Sequence, residues 1–123
     1  MNKPLNWFEI PALDLSRARA FYEQILGVTL REETIGPTAL AIFPYDRGQA
    51  TGGCVLQGPG YRPSRDGVAI YLNTGHTLDA VLDRVRAAGG EIAVPKTALP
   101  PGMGAFAHIV DTEGNRVGLH EEG

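Results

Sequence analysis

The sequence predicts an α+β fold in which two strand–helix–strand–strand–strand modules pair into a curved sheet enclosing a cup. Three observations lead there. The same order of elements occurs twice, with a period of roughly sixty residues, longer than solenoid repeats. Each copy holds one helix with a single apolar stripe among short strands. One helix over one small sheet is too little core to stand alone, so the two copies must share one. The chain is then a single domain over 1–123, with module one at 5–57, a linker at 58–66 and module two at 67–121.

Module one opens with WFEI (7–10), a short apolar strand stopped by Pro11. Asp14 stands where an N-cap is wanted, and Ala18, Phe21, Tyr22 and Ile25 recur at helical spacing behind it. Gly27 follows as the expected left-handed C-cap. Strands are expected at 28–33, 38–43 and 53–57, with turns at Gly36-Pro37 and Asp46-Arg47-Gly48. Module two restarts the order with a strand at 68–73 and Thr77 as N-cap. Its helix carries Leu78, Val81, Leu82 and Val85 on one face and ends at Gly89-Gly90. Strands at 91–94, 105–110 and 115–121 complete it, the last two joined by Asp111-Thr112-Glu113-Gly114.

Composition narrows the function classes. Hydrophobic residues make up 43% and charged residues 20%, which suits a packed domain and not a disordered chain. A formal charge of −3 offers no footprint for nucleic acid, and no apolar run is long enough to cross a membrane. The N-terminal MNKPLNWFEIP lacks the apolar stretch of a signal peptide, and Cys54 is the only cysteine. A reducing cytoplasm is the expected location. GPGYR (58–62) has too few glycines, wrongly spaced, for a phosphate loop.

FEIPALDLSRARAFYEQILGV in the first half, with LDAVLDRVRAAGGEI and DTEGNRVGL in the second, resembles the glyoxalase / bleomycin-resistance / extradiol-dioxygenase (vicinal oxygen chelate) superfamily. The resemblance covers essentially the whole chain. It implies paired βαβββ modules, a cup as ligand site and a homodimer. In metal-using members four strands each offer a His, Glu or Gln to a divalent ion. Carried over, those positions fall on Trp7, near Val55, on Val68 and on Gly118. Indole, isopropyl and hydrogen supply none of the nitrogen, sulfur or oxygen donors such ions need. The expectation is therefore no metal and no cofactor.

Strand parity extends the site. Residues two apart share a face, so Glu9 should face the cup with Trp7, and His120 with Gly118. Glu9 and His120 are the candidate catalytic pair, or a relocated metal site, or plain ligand contacts. Trp7, Glu9, Tyr71, Gly118 and His120 are the candidate ligand-binding residues. Gly118 reads either as room for a guest or as room for Trp7. His108 reads as a satisfied core histidine, His76 as a cap or exposed residue, Cys54 as a small buried hydrophobe, and Glu121 and Glu122 as a solvated tail. PKTALPPGMG (95–104) reads as a surface connection or an apolar lid over the cup.

The leading reading is a small-molecule-binding protein that works without the usual metal, and the acidic balance favours a cationic or amphipathic guest. The enzyme alternative is a lactoylglutathione-lyase-like lyase or isomerase, and less so a dioxygenase. Either would have to rebuild its metal chemistry on Glu9 and His120. A third reading is a cup collapsed around Trp7.

Overall fold

The computed structural model describes residues 4–46 and 50–123. Its elements run β1 (Trp7–Pro11), α1 (Leu15–Leu26), β2 (Arg31–Ile35), β3 (Thr38–Ile42), β4 (Gly52–Gln57), β5 (Tyr71–Asn73), α2 (Leu78–Ala87), β6 (Glu91–Ala98), β7 (Ala105–Val110) and β8 (Arg116–Glu121). The predicted α+β class and the doubled module are present. Two four-stranded sheets have the matching orders β1-β4-β3-β2 and β5-β8-β7-β6. In each, the strand before the helix lies parallel to the last strand of its module, and the other pairs are antiparallel.

The helices form as their sequences require. The Asp14 carboxylate accepts from the Arg17 N–H at 3.1 Å, and Gly27 closes α1 at φ 66° with its own N–H bonded to the Glu23 carbonyl. The buried faces are those the spacing predicts: Leu15, Ala18, Phe21, Tyr22 and Ile25 on α1, and Leu78, Val81, Leu82 and Val85 on α2. They share one core with Ile10, Ala41, Val55, Leu72, Ala107, Ile109, Val117 and Leu119 from both sheets. Both modules thus bury their helix faces in a common core.

α2 is capped differently from expectation. Thr77 stands at the N-cap position but makes no cap bond; its hydroxyl donates to the Thr74 carbonyl at 2.7 Å. The acceptor comes instead from Glu121, which takes the Leu78 N–H at 3.0 Å and pairs with Lys96 at 3.1 Å. Its side chain is only 16% exposed, so Glu121 is not part of a solvated tail. The Leu78 N–H, then Lys96, hold its carboxyl below the usual glutamate range.

Three strand boundaries differ from the sequence reading. Leu30 is fully buried ahead of β2, and the strand itself starts at Arg31 with every residue exposed. Gly36 turns the β2–β3 hairpin at φ 55°, and Pro37 fixes a negative φ next, the pattern of a type II′ turn. Val68 is 93% exposed, and β5 begins only at Tyr71. β6 runs on through Pro95 to Ala98 with two register shifts, so the loop expected at 95–104 shrinks to a tight turn after it. Arg47 and Gly48 of the expected Asp46-Arg47-Gly48 turn lie outside the described residues.

The modules are locked together by the DTEGN turn (111–115). Asp111 is buried and accepts from the Tyr22 hydroxyl at 2.6 Å, from the backbone N–H groups of Glu113 and Asn115 at 2.9 Å, and from Asn115 Nδ2 at 3.0 Å. Glu113 accepts from the Leu13 and Asp14 N–H groups at 2.8 Å and holds Arg17 through both carboxylate oxygens. Asn115 reaches back to the Pro11 carbonyl at 2.6 Å and takes the Ser64 N–H at 3.0 Å. One five-residue turn thus ties β1, α1, the linker and β8 together.

Candidate functional site

Each sheet has a helix-covered face and a helix-free face, and alternation decides which residues occupy the latter. On the first sheet Phe8, Ile10, Ala41 and Val55 enter the shared core. Trp7, Leu40, Ile42, Cys54 and Leu56 form a separate cluster on the opposite, helix-free face, the side to which the family resemblance assigns the cup and hence the cup-side face. Glu9 shares that parity, is exposed, and pairs in register with Cys54. The first-module ligand position placed near Val55 therefore has its cup-side side chain at Cys54; Val55 itself points into the core.

On the second sheet Leu72, Ala105, Ala107, Ile109, Val117 and Leu119 are core. The helix-free face then carries Tyr71 from β5, Phe106 and His108 from β7, and Arg116, Gly118 and His120 from β8. Tyr71 and His108 both pair in register with Gly118. The Tyr71 ring stands edge-on to Phe106 at 6.2 Å between centroids and lies 5.4 Å from the His108 ring. Its hydroxyl bonds His108 Nε2 at 2.7 Å. Tyr71 is 49% exposed, so this cluster is open to solvent.

Glycine placement explains how the rings are seated. A Cβ at Gly118 would overlap the Tyr71 ring, one at Gly53 the Phe8 ring, and one at Gly52 would lie 2.8 Å from the Trp7 indole and from Tyr45. Trp7↔Gly52, Phe8↔Gly53 and Tyr71↔Gly118 are all directly opposed in register. An aromatic ring lying over a facing glycine is a recurrent device in sheets. Gly118 therefore makes room for Tyr71, not for Trp7, whose glycine is Gly52. Gly118→Ala should push the Tyr71 ring off its seat and break its bond to His108. We expect a loss of about 1–3 kcal/mol from overpacking, read as a fall in melting temperature together with changed Tyr71 and His108 side-chain resonances.

The predicted site residues divide into two groups. Tyr71, Gly118 and His120 come together on the second sheet; Trp7 and Glu9 lie on the first. No hydrogen bond joins Glu9 to His120 among the described residues, and His120 Nε2 bonds the Met103 carbonyl at 2.8 Å. That bond fixes the β6–β7 turn against the cup face; Met103 is exposed there, and its N–H bonds the Pro100 carbonyl. His76 is exposed, 3.6 Å from Glu122.

His108 and Phe106 are the residues the sequence reading missed. His108 is half-buried on the cup-side face, not satisfied in the core, and its Nδ1 is buried without a hydrogen-bond partner. Burial, and then the nearby Arg116 charge, push its pKa down and so favour the neutral ring. The signal was available in AFAHIV: Ala105, Ala107 and Ile109 are the smoother apolar set, and their parity leaves Phe106 and His108 for the other face.

A recess of about 300 Å³ lies elsewhere. It sits between Phe8, Leu26 and Phe43 of module one and Leu72, Thr77 and Val81 of module two. Around it the Thr51, Asn73, Thr74 and Thr77 side chains each make a hydrogen bond within the protein, and Tyr45 adds a further polar group to its apolar walls. A smaller depression of about 190 Å³ contains Glu9, Arg62, Asp66 and Arg116. Neither recess includes Tyr71 or His120. The cup-side faces carry the half-exposed Tyr71, the exposed Glu9 and Arg116 and the unpartnered His108 Nδ1, polar groups of the kind that give a guest its specificity.

The donor set does not fit a divalent ion. Trp7, Val68 and Gly118 carry no ligand atom. Cys54 is fully buried, and its thiol is pushed up to about 12, first by burial and then by the Glu9 carboxylate, with Trp7 pulling slightly the other way. Among the described residues no three of His, Cys, Asp or Glu come together.

No helix among the described residues is long and apolar enough to cross a membrane. Comparison with curated protein sequences gives no match. Among solved structures, a mutant form of glyoxalase I from Zea mays matches with a TM-score of 0.72 and 25% identity, covering 98% of this chain and 47% of that one. This chain therefore spans about half the length of that enzyme. FosX, a genomically encoded fosfomycin resistance protein from Listeria monocytogenes, matches with a TM-score of 0.69 and 18% identity over 100% of this chain and 96% of that one. A glyoxylase/bleomycin resistance protein/dioxygenase domain from Frankia sp. EAN1pec gives 0.74 and 17% over 100% and 94%. At these lower identities the likeness is one of fold. Residues 5–119 match the family described as Glyoxalase/Bleomycin resistance protein/Dioxygenase superfamily, and the chain belongs to it.

Proposed function

We propose that this protein binds a small organic molecule on its cup-side faces without a divalent metal. The observation that carries this reading is the half-exposed Tyr71–Phe106–His108 cluster, standing where a family carboxylate would be and where Gly118 has none. Flat rings give a planar guest a stacking surface, and the hydroxyl and imidazoles give it direction. Trp7, Glu9, Tyr71, Gly118 and His120 are the contacts expected from sequence, joined by Phe106 and His108. A homodimer suits the length relation to glyoxalase I, since this chain spans about half of that enzyme. A cytoplasmic location suits a lone free cysteine.

The second reading, a lactoylglutathione-lyase-like enzyme, is favoured by the 25% identity to glyoxalase I. It would need a metal or a rebuilt acid–base pair on Glu9 and His120, and His120 is already bonded to Met103. A thermal-shift screen of planar metabolites and antibiotics, with and without divalent ions, separates the two. The binding reading expects a stabilising guest whose effect survives chelation and is lost in Tyr71→Ala. Turnover of a glutathione hemithioacetal that needs added metal would establish the enzyme instead.

A further inference from the structure

The helix-free face of the second sheet also indicates which guest it takes. The Tyr71–His108 bond can run in either direction, and the second nitrogen decides between them. If Tyr71 donates to Nε2, the neutral ring carries its proton on Nδ1, leaving a buried N–H with no acceptor. If Nε2–H donates to the Tyr71 oxygen, the orphan is a lone pair. Buried unpartnered N–H groups are rarer than under-satisfied acceptors, so the second tautomer is the better one. The phenol O–H is then released to point outward from a half-exposed ring.

Arg116 stands on the same face, two residues before Gly118 and opposite Val110 in register. After burial, which is the larger cause, its charge also disfavours the His108 imidazolium. It makes no salt bridge with a described residue. The protein is acidic overall, yet this face carries a phenol O–H, backed by an N–H, and a guanidinium two residues along β8 from the glycine under that ring. Arg116 also lines the small depression that holds Glu9 and Asp66, with Arg62 alongside them, and these carboxylates would compete for the guanidinium.

We propose that Tyr71, positioned by His108, and Arg116 form a receptor for the carboxylate of a small aromatic acid, whose ring lies against Phe106. This rests on the binding reading above and replaces the family's metal charge with a protein donor and cation. It also reverses the expectation, drawn from net charge, of a cationic guest.

Benzoate, neutral benzamide and benzylammonium are suitable probes, titrated with chelator present and followed by amide and imidazole nitrogen NMR. Benzoate should bind tightest of the three and shift the Gly118 and His108 signals, and the free protein should show an Nε2–H imidazole. Tyr71→Phe and Arg116→Gln should each weaken benzoate roughly tenfold or more while changing benzamide far less, as expected for a hydrogen bond to a charged group. His108→Gln, which can keep a donor near the Nε2 position, should retain more affinity than His108→Ala at equal melting temperature. Preference for benzylammonium, or benzoate affinity unchanged in Tyr71→Phe, overturns the carboxylate receptor and leaves the binding reading standing. No perturbation of the cup-side faces by any probe at millimolar concentration overturns both.

Discussion

Asp111→Ala should lower stability by about 3–5 kcal/mol, the range for removing one partner from a buried polar network, and the melting temperature by roughly 10–20 °C. The carboxylate is 4% exposed and is the acceptor for the Tyr22 hydroxyl, two backbone N–H groups and the Asn115 amide. Alanine leaves those donors buried with nothing to bond. Tyr22 suffers most, because it is fully buried; burial, and then Asp111, keep its phenol protonated far above the usual tyrosine range. Tyr22→Phe removes that orphan donor, so the double variant should lose less than the sum of the singles. Denaturant melts of all four proteins give the coupling directly. Additive losses would mean the bond is incidental.

Glu113 should carry much of the acid sensitivity of the fold. Burial pushes its carboxyl up, but Arg17, the Asp14 N–H, the Thr112 hydroxyl and the Leu13 N–H together outweigh that and hold it below the usual value of 4.5. A depressed folded pKa contributes stability that is present above the unfolded value and lost as pH falls through the folded one. Melting temperature should therefore be flat near neutrality and fall below about pH 4.5. Glu23 and Glu121 act in the same direction. Arg17 is half exposed, so solvent screening reduces the ion-pair share, and the two backbone N–H groups capping the chain into α1 matter more. Glu113→Gln should cost on the order of 2 kcal/mol at pH 7 and flatten the acid limb. An acid limb as steep as that of the unsubstituted protein would assign the titration to other groups.

The fold was readable where local chemistry and burial agree. Helical spacing from Ala18 to Ile25 and from Leu78 to Val85 found both helices, and Asp14 and Gly27 set the ends of α1. The misreadings arose where the partner is distant in sequence. Thr77 has the right identity for a cap, but Glu121, reaching back from the last strand, holds the helix N-terminus. The DTEGN turn was legible as a turn, whereas its role in joining the modules depends on Tyr22 and Leu13, about a hundred residues earlier.

The site was legible in part for the same reason. Parity correctly placed Trp7 and Glu9 on one face, and Gly118 and His120 on another. It did not show that Gly118 faces Tyr71, since that register is set by a parallel pairing of strands nearly fifty residues apart. His108 was misjudged because a histidine between Phe106 and Val110 looks like core until its facing residue is known to be a glycine under an exposed ring.

The central claim is that the cup-side faces bind their guest with protein groups alone. Metal analysis of protein purified without chelator, paired with benzoate titration before and after dialysis against chelator, tests it most directly. The account predicts far less than one divalent ion per chain and the same benzoate affinity in both titrations. One ion per chain, with benzoate binding abolished by its removal, would contradict it.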